Sequence, residues 1–136
     1  MSSGVMFYRS GNSDGWTKWK ICSSNPYYVD SALINGWTGD IRCIRDGNYA
    51  YLDFTAYGDT VYNKWNLLEF ANIGAHARPQ NIVFGTGSIN AGNCYLGSCK
   101  IDIRYDGILI AIFSNDIASP SSDPICITGD FIYPLY

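Results

Sequence analysis

Residues 41–57, IRCIRDGNYAYLDFTAY, decide the fold. Ile41–Arg45 and Asn48–Tyr57 are two extended runs. Between them, Asp46-Gly47 is the dipeptide of a tight hairpin turn, whose type I′ form needs positive φ at both central residues. In the second run Ala50, Leu52, Phe54 and Ala56 share one face, while Tyr49, Tyr51, Asp53 and Thr55 share the other. A period of two describes a strand with one buried and one wetter face. Residues 101–113, IDIRYDGILIAIF, repeat the plan: Ile101–Tyr105, then Asp106-Gly107, then Ile108–Phe113. Here Ile101, Ile103 and Tyr105 oppose Lys100, Asp102 and Arg104. Ile108–Phe113 is apolar on both faces, so it is expected to be central in its sheet or covered by a neighbouring subunit.

Working outward, Val5–Arg9, Thr17–Cys22, Tyr62–Phe70, Gln80–Phe84 and Ile125–Tyr133 read as further strands, and no stretch of useful length has helical periodicity. Gly58–Val61, Gly85–Asn93 and Ser114–Pro124 read as loops. Many short strands with turn signals about every ten residues predict an all-β chain, an antiparallel β-sandwich or jelly-roll-like barrel. The composition agrees. The 136 residues include 11 Tyr, 6 Phe, 4 Trp and 14 Gly, and Glu69 is the only Glu among twelve acids. Strong helix formers are scarce and strand and turn formers abundant. The length suits one domain. A soft boundary falls near Asn35: residues 1–34 read as a shaft-like or docking segment too short for its own core, and 35–136 as the main β domain.

A net charge of −3, with no basic pair closer than Lys18/Lys20 or Arg42/Arg45, argues against binding nucleic acid through its phosphates. The longest apolar run, Ile108–Phe113, is far below the roughly 18 residues that span a bilayer, so no membrane insertion is expected. Met1-Ser2-Ser3-Gly4 lacks the basic start and apolar stretch of a secretory signal, which predicts synthesis in the cytoplasm without a signal peptide. Five cysteines (22, 43, 94, 99 and 126) cannot all pair within the chain. They are expected to be reduced thiols, several in the core, with a Cys94–Cys99 bridge across a small hairpin as the alternative. One His and no Cys-x-x-Cys leave no metal-ligand spacing, and no cofactor is expected.

These motifs, in order, resemble the C-terminal tip domains of phage and prophage tail fibre and baseplate receptor-binding proteins. The resemblance rests on Asn35-Gly36-Trp37, on Ile44-Arg45-Asp46-Gly47 with its alternating strand, and on Leu67-Leu68-Glu69-Phe70 leading to Ala77-Arg78-Pro79. It continues through the Asp106-Gly107 hairpin to a closing Ile127–Tyr133. The stretch Phe7-Tyr8-Arg9 with Gly15-Trp16-Thr17-Lys18-Trp19 is similar to a short fibre segment that precedes such a tip. Where the family has Leu-Pro before its Gly, this chain has Phe70-Ala71-Asn72-Ile73-Gly74-Ala75-His76, which leaves the shape of that loop open. The resemblance implies a homotrimer at the tail tip of a virion, joined to upstream tail fibre or baseplate proteins. It also implies a saccharide of the bacterial cell wall or envelope as receptor, and no cofactor.

Saccharide recognition needs an aromatic face for the C–H side of a pyranose and planar polar groups for its hydroxyls. Asp59-Thr60-Val61-Tyr62-Asn63-Lys64-Trp65 gathers both within seven residues. Trp65 is the expected stacking platform and Asp59 and Asn63 the hydroxyl partners; the other reading puts Trp65 in the core. His76 could hydrogen-bond a hydroxyl or a wall phosphate, and Arg78 could pair with an anion. Asn115 and Asp116 are candidates in the last long loop. Trp16, Trp19 and Trp37 are expected to pack.

No enzyme is expected. There is no Gly-x-Ser-x-Gly elbow and no phosphate-cradling Gly-Lys loop, and most Asp sit in turns or alternate along strands. A glycan-cleaving tail enzyme, a structural trimer-forming segment and a free-standing bacterial lectin are the competing classes.

Overall fold

A computed structural model describes residues 5–8, 11–12, 15–16, 20–23 and 25–135, with side chains described from 25 onward. The first four strands are β1 (Val5–Tyr8), β2 (Gly11–Asn12), β3 (Gly15–Trp16) and β4 (Lys20–Ser23); β1 pairs with β4 and β2 with β3, both antiparallel. The expected strands Val5–Arg9 and Thr17–Cys22 fall here in part. Arg9, residues 17–19 and the side chains of Trp16 and Trp19 lie outside what is described.

The main sheet is built from β5 (Tyr27–Val29), β6 (Ser31–Leu33), β7 (Thr38–Asp46), β8 (Tyr49–Tyr57), β10 (Leu68–Ile73), β11 (Val83–Ala91), β12 (Cys94–Ile103), β13 (Ile108–Ile112) and β15 (Ile125–Pro134). Two short strands, β9 (Val61–Tyr62) and β14 (Ile117–Ala118), pair with each other beside it. Every pairing is antiparallel, in the order β5-β7-β8-β15-β11-β12-β13-β10-β6. The two edges, β5 and β6, are consecutive in the chain and separated only by Asp30. One broken strand therefore joins both edges, and the sheet rolls into a nearly closed barrel, which leaves few unpaired backbone groups at an edge. Residues 27–33, on the N-terminal side of Asn35, thus belong to the same sheet as the rest.

The alternating pattern of the opening stretch holds. Ala50, Leu52, Phe54 and Ala56 are buried, and Leu52 and Phe54 meet Ile89, Ile101, Ile103, Leu109, Ile125 and Ile127 in one core. β13 lies between β12 and β10, the central place that its two apolar faces suggest. At one end the core closes with aromatic rings: Trp37 stacks on Tyr62 at 5.3 Å, Tyr62 meets Phe113 edge-on, and Phe54 packs on Phe70. At the other end the buried Tyr133 hydroxyl donates to Ala77 O at 2.7 Å, tying β15 to a single 3-10 turn at Ala75–Ala77.

Several expectations need correction. The first hairpin turns at Gly47-Asn48, one residue later than Asp46-Gly47, because Asp46 pairs with Tyr49. Only Gly47 has positive φ there, a II′ rather than an I′ pattern. The second turns through Tyr105, Asp106 and Gly107, with Gly107 at φ +89 closing a three-residue loop and the Asp106 carboxylate accepting from Ile108 N. The type I′ pattern occurs instead at Asn35-Gly36, with φ +58 and +83 and Trp37 N donating to Ile34 O. Residues 85–91 are strand, not loop, and the strand expected at Gln80–Phe84 begins only at Val83. A Cβ at Gly85 would overlap the Phe131 ring, and one at Gly129 would press on both Phe131 and Phe54. These glycines make room for an aromatic ring rather than a turn. The strand expected at Tyr62–Phe70 is interrupted between β9 and β10. Cys94 and Cys99 lie on the same strand, β12, and the four described thiols are unbridged, three of them buried.

Candidate functional site

Trp65 lies in the interruption between β9 and β10. Its backbone sits at φ +65, a conformation that costs a bulky L-residue about 1–2 kcal/mol. Two hydrogen bonds hold it there: Trp65 N donates to Phe113 O at 2.8 Å, and Lys64 N donates to the Asp116 carboxylate at 2.9 Å. The indole is 64% exposed and is not part of the core. It flanks a shallow groove of about 320 Å³ over the outer face of β11, β12 and β13. Thr86, Ser98, Lys100 and Ser114 supply the polar lining and Ile112 an apolar patch. Lys100 reaches across to Phe84, with Nζ 4.6 Å from the ring centre and 3.5 Å from Asp102 Oδ1. Phe84 is 62% exposed, so one aromatic face is held against the ammonium beside the groove.

The loops that carry Asp59, Asn63, Asn115 and Asp116 are zipped together. β9 pairs with β14, Ser119 N donates to Thr60 O, and Asp116 caps Lys64 N. All four side chains are exposed, and the Lys64–Asp116 hydrogen bond fastens the two loops at the residue before Trp65. The backbone of Asp59 also fastens the loop to the barrel. Its N–H donates to the Tyr62 hydroxyl at 2.6 Å, and its carbonyl accepts from Ile125 N. Burial pushes the Tyr62 hydroxyl above its usual pKa, consistent with its place under Trp37.

His76 and Arg78 are not brought to this cluster. They follow β10 near the turn between β7 and β8, where Arg45 Nη1 donates to His76 O at 2.8 Å and Arg78 Nε to Ile73 O at 3.1 Å. The span of β8, nine residues at roughly 3.3 Å each, separates the two ends of the barrel. His76 meets Tyr27 edge-on at 6.3 Å, and both it and Arg78 are exposed.

Sequence reasoning misses Phe84, Thr86, Ser98 and Lys100. Each sits at an outward position of an alternating strand, and the pairs Thr86↔Lys100 and Ser88↔Ser98 bring them together. Alternation alone could mark them as outward, but only the register makes them neighbours. Among the described residues, no three His, Cys, Asp or Glu side chains are grouped so as to hold a metal ion. No protein-family model and no curated protein matches this chain.

Proposed function

We propose that this chain is a saccharide-binding module without a catalytic centre, the tip of a phage tail fibre that grips a glycan of the bacterial envelope. The observation that carries the binding reading is Trp65, a large flat ring exposed to solvent on a backbone conformation that works against stability. Backbone strain of this kind concentrates where a side chain must be presented to a ligand. The indole would stack on the C–H face of a pyranose. Lys100, Ser98, Thr86 and Ser114 would meet its hydroxyls, and Asn63, Asn115, Asp116 and Asp59 would extend the contact along the chain of sugars. Binding rather than cleavage is favoured because neither carboxylate nor imidazole lines the groove itself, and Asp116, on the loop beside it, is engaged by Lys64 N. The tail-fibre part of the reading draws on the ordered resemblance of the motifs, and the trimer it implies would multiply weak sugar contacts by avidity.

The test is retention on immobilised polysaccharides extracted from bacterial envelopes. The intact chain is expected to be held by at least one of them and to release no reducing ends. Trp65→Ala is expected to weaken retention about tenfold or more, the scale of 1–3 kcal/mol for one aromatic stack. Equal retention of Trp65→Ala contradicts the site, and release of reducing ends contradicts the non-enzymatic reading.

A further inference from the structure

A different wall of the barrel carries a second surface with its own chemistry. The register sets Tyr28, Ile44, Tyr51 and Ile132 side by side across β5, β7, β8 and β15. This row faces outward, with Tyr28 72% and Ile132 67% exposed. Two residues along the strands runs an ionic row, Arg42, Asp53 and Asp130. Arg42 directs both Nε and Nη2 at one oxygen, Asp53 Oδ2, at 3.1 and 2.6 Å, which leaves Asp53 Oδ1 to accept from elsewhere.

Arg42 and Asp53 line two adjoining cavities of about 720 and 540 Å³. Asp30 and Asp40 belong to the first, Asp46 and Asp130 to the second. With Asp53 the groove therefore sets five carboxylates against one guanidinium. Asp46 supplies an independent observation. It is nine-tenths buried, and its Oδ1 has no hydrogen-bond partner. A buried acceptor left without a donor costs about 1–3 kcal/mol, so its persistence at a cavity wall needs a reason.

We propose that this groove is a second binding site, selective for a saccharide that carries protonated amino groups. The Tyr28–Ile44–Tyr51–Ile132 row takes the C–H face of the sugar. Asp53 Oδ1 and Asp130 accept from its ammonium and hydroxyl groups, and Asp46 accepts from the donor that reaches deepest. The surplus of carboxylates rejects anionic glycans. This inference rests on the reading that the barrel binds saccharides, but it does not depend on Trp65.

The test is an amide chemical-shift titration of the intact ¹⁵N-labelled chain, at mildly acid pH and low salt, with three probes of equal length. They are a glucosamine oligomer with free amines, its fully N-acetylated counterpart, and a galacturonic acid oligomer. The glucosamine oligomer is expected to shift the amides of Asp40, Arg42, Tyr51, Asp53 and Asp130, and to bind roughly fivefold tighter than the acetylated one, the scale of one exposed charge pair. That preference should shrink as salt is added. Asp53→Asn and Asp130→Asn are expected to abolish it without changing the fold, and Trp65→Ala to leave it intact. Equal binding of the acetylated oligomer, or no shift on this wall, overturns the proposal. So does a fall in native mass for Tyr51→Ala or Ile132→Ala, which would make the row a contact between copies of the chain. Failure of the intact chain to be retained on any envelope polysaccharide, with the glucosamine response present, would sink only the Trp65 reading.

Discussion

Two tryptophans of the described chain, Trp37 and Trp65, meet opposite fates. Trp37 is 8% exposed, stacked on Tyr62 and packed 5.9 Å from Phe70, so it belongs to the aromatic plug of the core. Trp37→Ala is expected to cost roughly 3–5 kcal/mol in urea unfolding, the range for emptying a buried aromatic site. Trp65 contributes little packing and sits at positive φ. Trp65→Gly is therefore expected to stabilise the chain by about 0.5–1 kcal/mol while removing saccharide retention, a trade of stability for function in one side chain. A Trp65→Gly variant that unfolds at lower urea than the parent would show that the indole is a packing residue. The polar neighbours Asp59, Asn63 and Lys64 set Trp65 apart from Trp37 in the sequence, but the exposure of each depends on which strand crosses beneath it.

At the scale of strands and turns, alternation is the legible signal. It places β8 with its inward face, the end of β12 with Ile101 and Ile103 inward, and the span of β15, because a one-residue slip would turn an entire hydrophobic face to water. Glycine is the misleading one. Gly85 and Gly87 read as loop residues, yet they lie in β11, where Gly85 yields its Cβ space to Phe131 from β15 and Gly87 to Ile101 and the Thr128 carbonyl. The ladder between β11 and β15 covers Ser88–Ala91 with Ile125–Thr128 and ends where Phe131 enters. Gly85→Ala is expected to destabilise by about 1–3 kcal/mol through overpacking against that ring. Phe131→Leu should recover part of the loss in the double variant, measured by the same unfolding curves; no recovery would point to a backbone cause. The Asn35-Gly36 turn reads in the sequence only as part of a motif, although its positive φ values carry the chain from β6 into β7. The outward rows of both grooves are not legible, since they exist only once register joins positions far apart in sequence.

For the whole molecule, two consequences follow from what is buried and what is left bare. Burial raises the Cys43 and Cys99 thiols from 9.0 to about 11, and it raises the Tyr133 hydroxyl as well. The folded chain keeps protons that the unfolded chain releases above pH 9, so stability is whole below that pH and falls as pH rises through 11. The expected loss is about 2 kcal/mol per thiol, seen as a falling urea midpoint, and a flat profile would contradict it. Outside both grooves the outer surface still shows Leu67, Tyr95 and Tyr105, each more than 60% exposed. Light scattering is expected to give a mass near three times 15.1 kDa; a clean monomer would favour a free lectin over a fibre tip. The most direct test of the central claim is saturation-transfer NMR on an envelope oligosaccharide mixed with the intact chain. Irradiating the aromatic protons is expected to pass saturation to the pyranose C–H protons, and Trp65→Ala should remove most of it. Absence of transfer across a panel of envelope oligosaccharides, or transfer unchanged in Trp65→Ala, would contradict saccharide binding at Trp65.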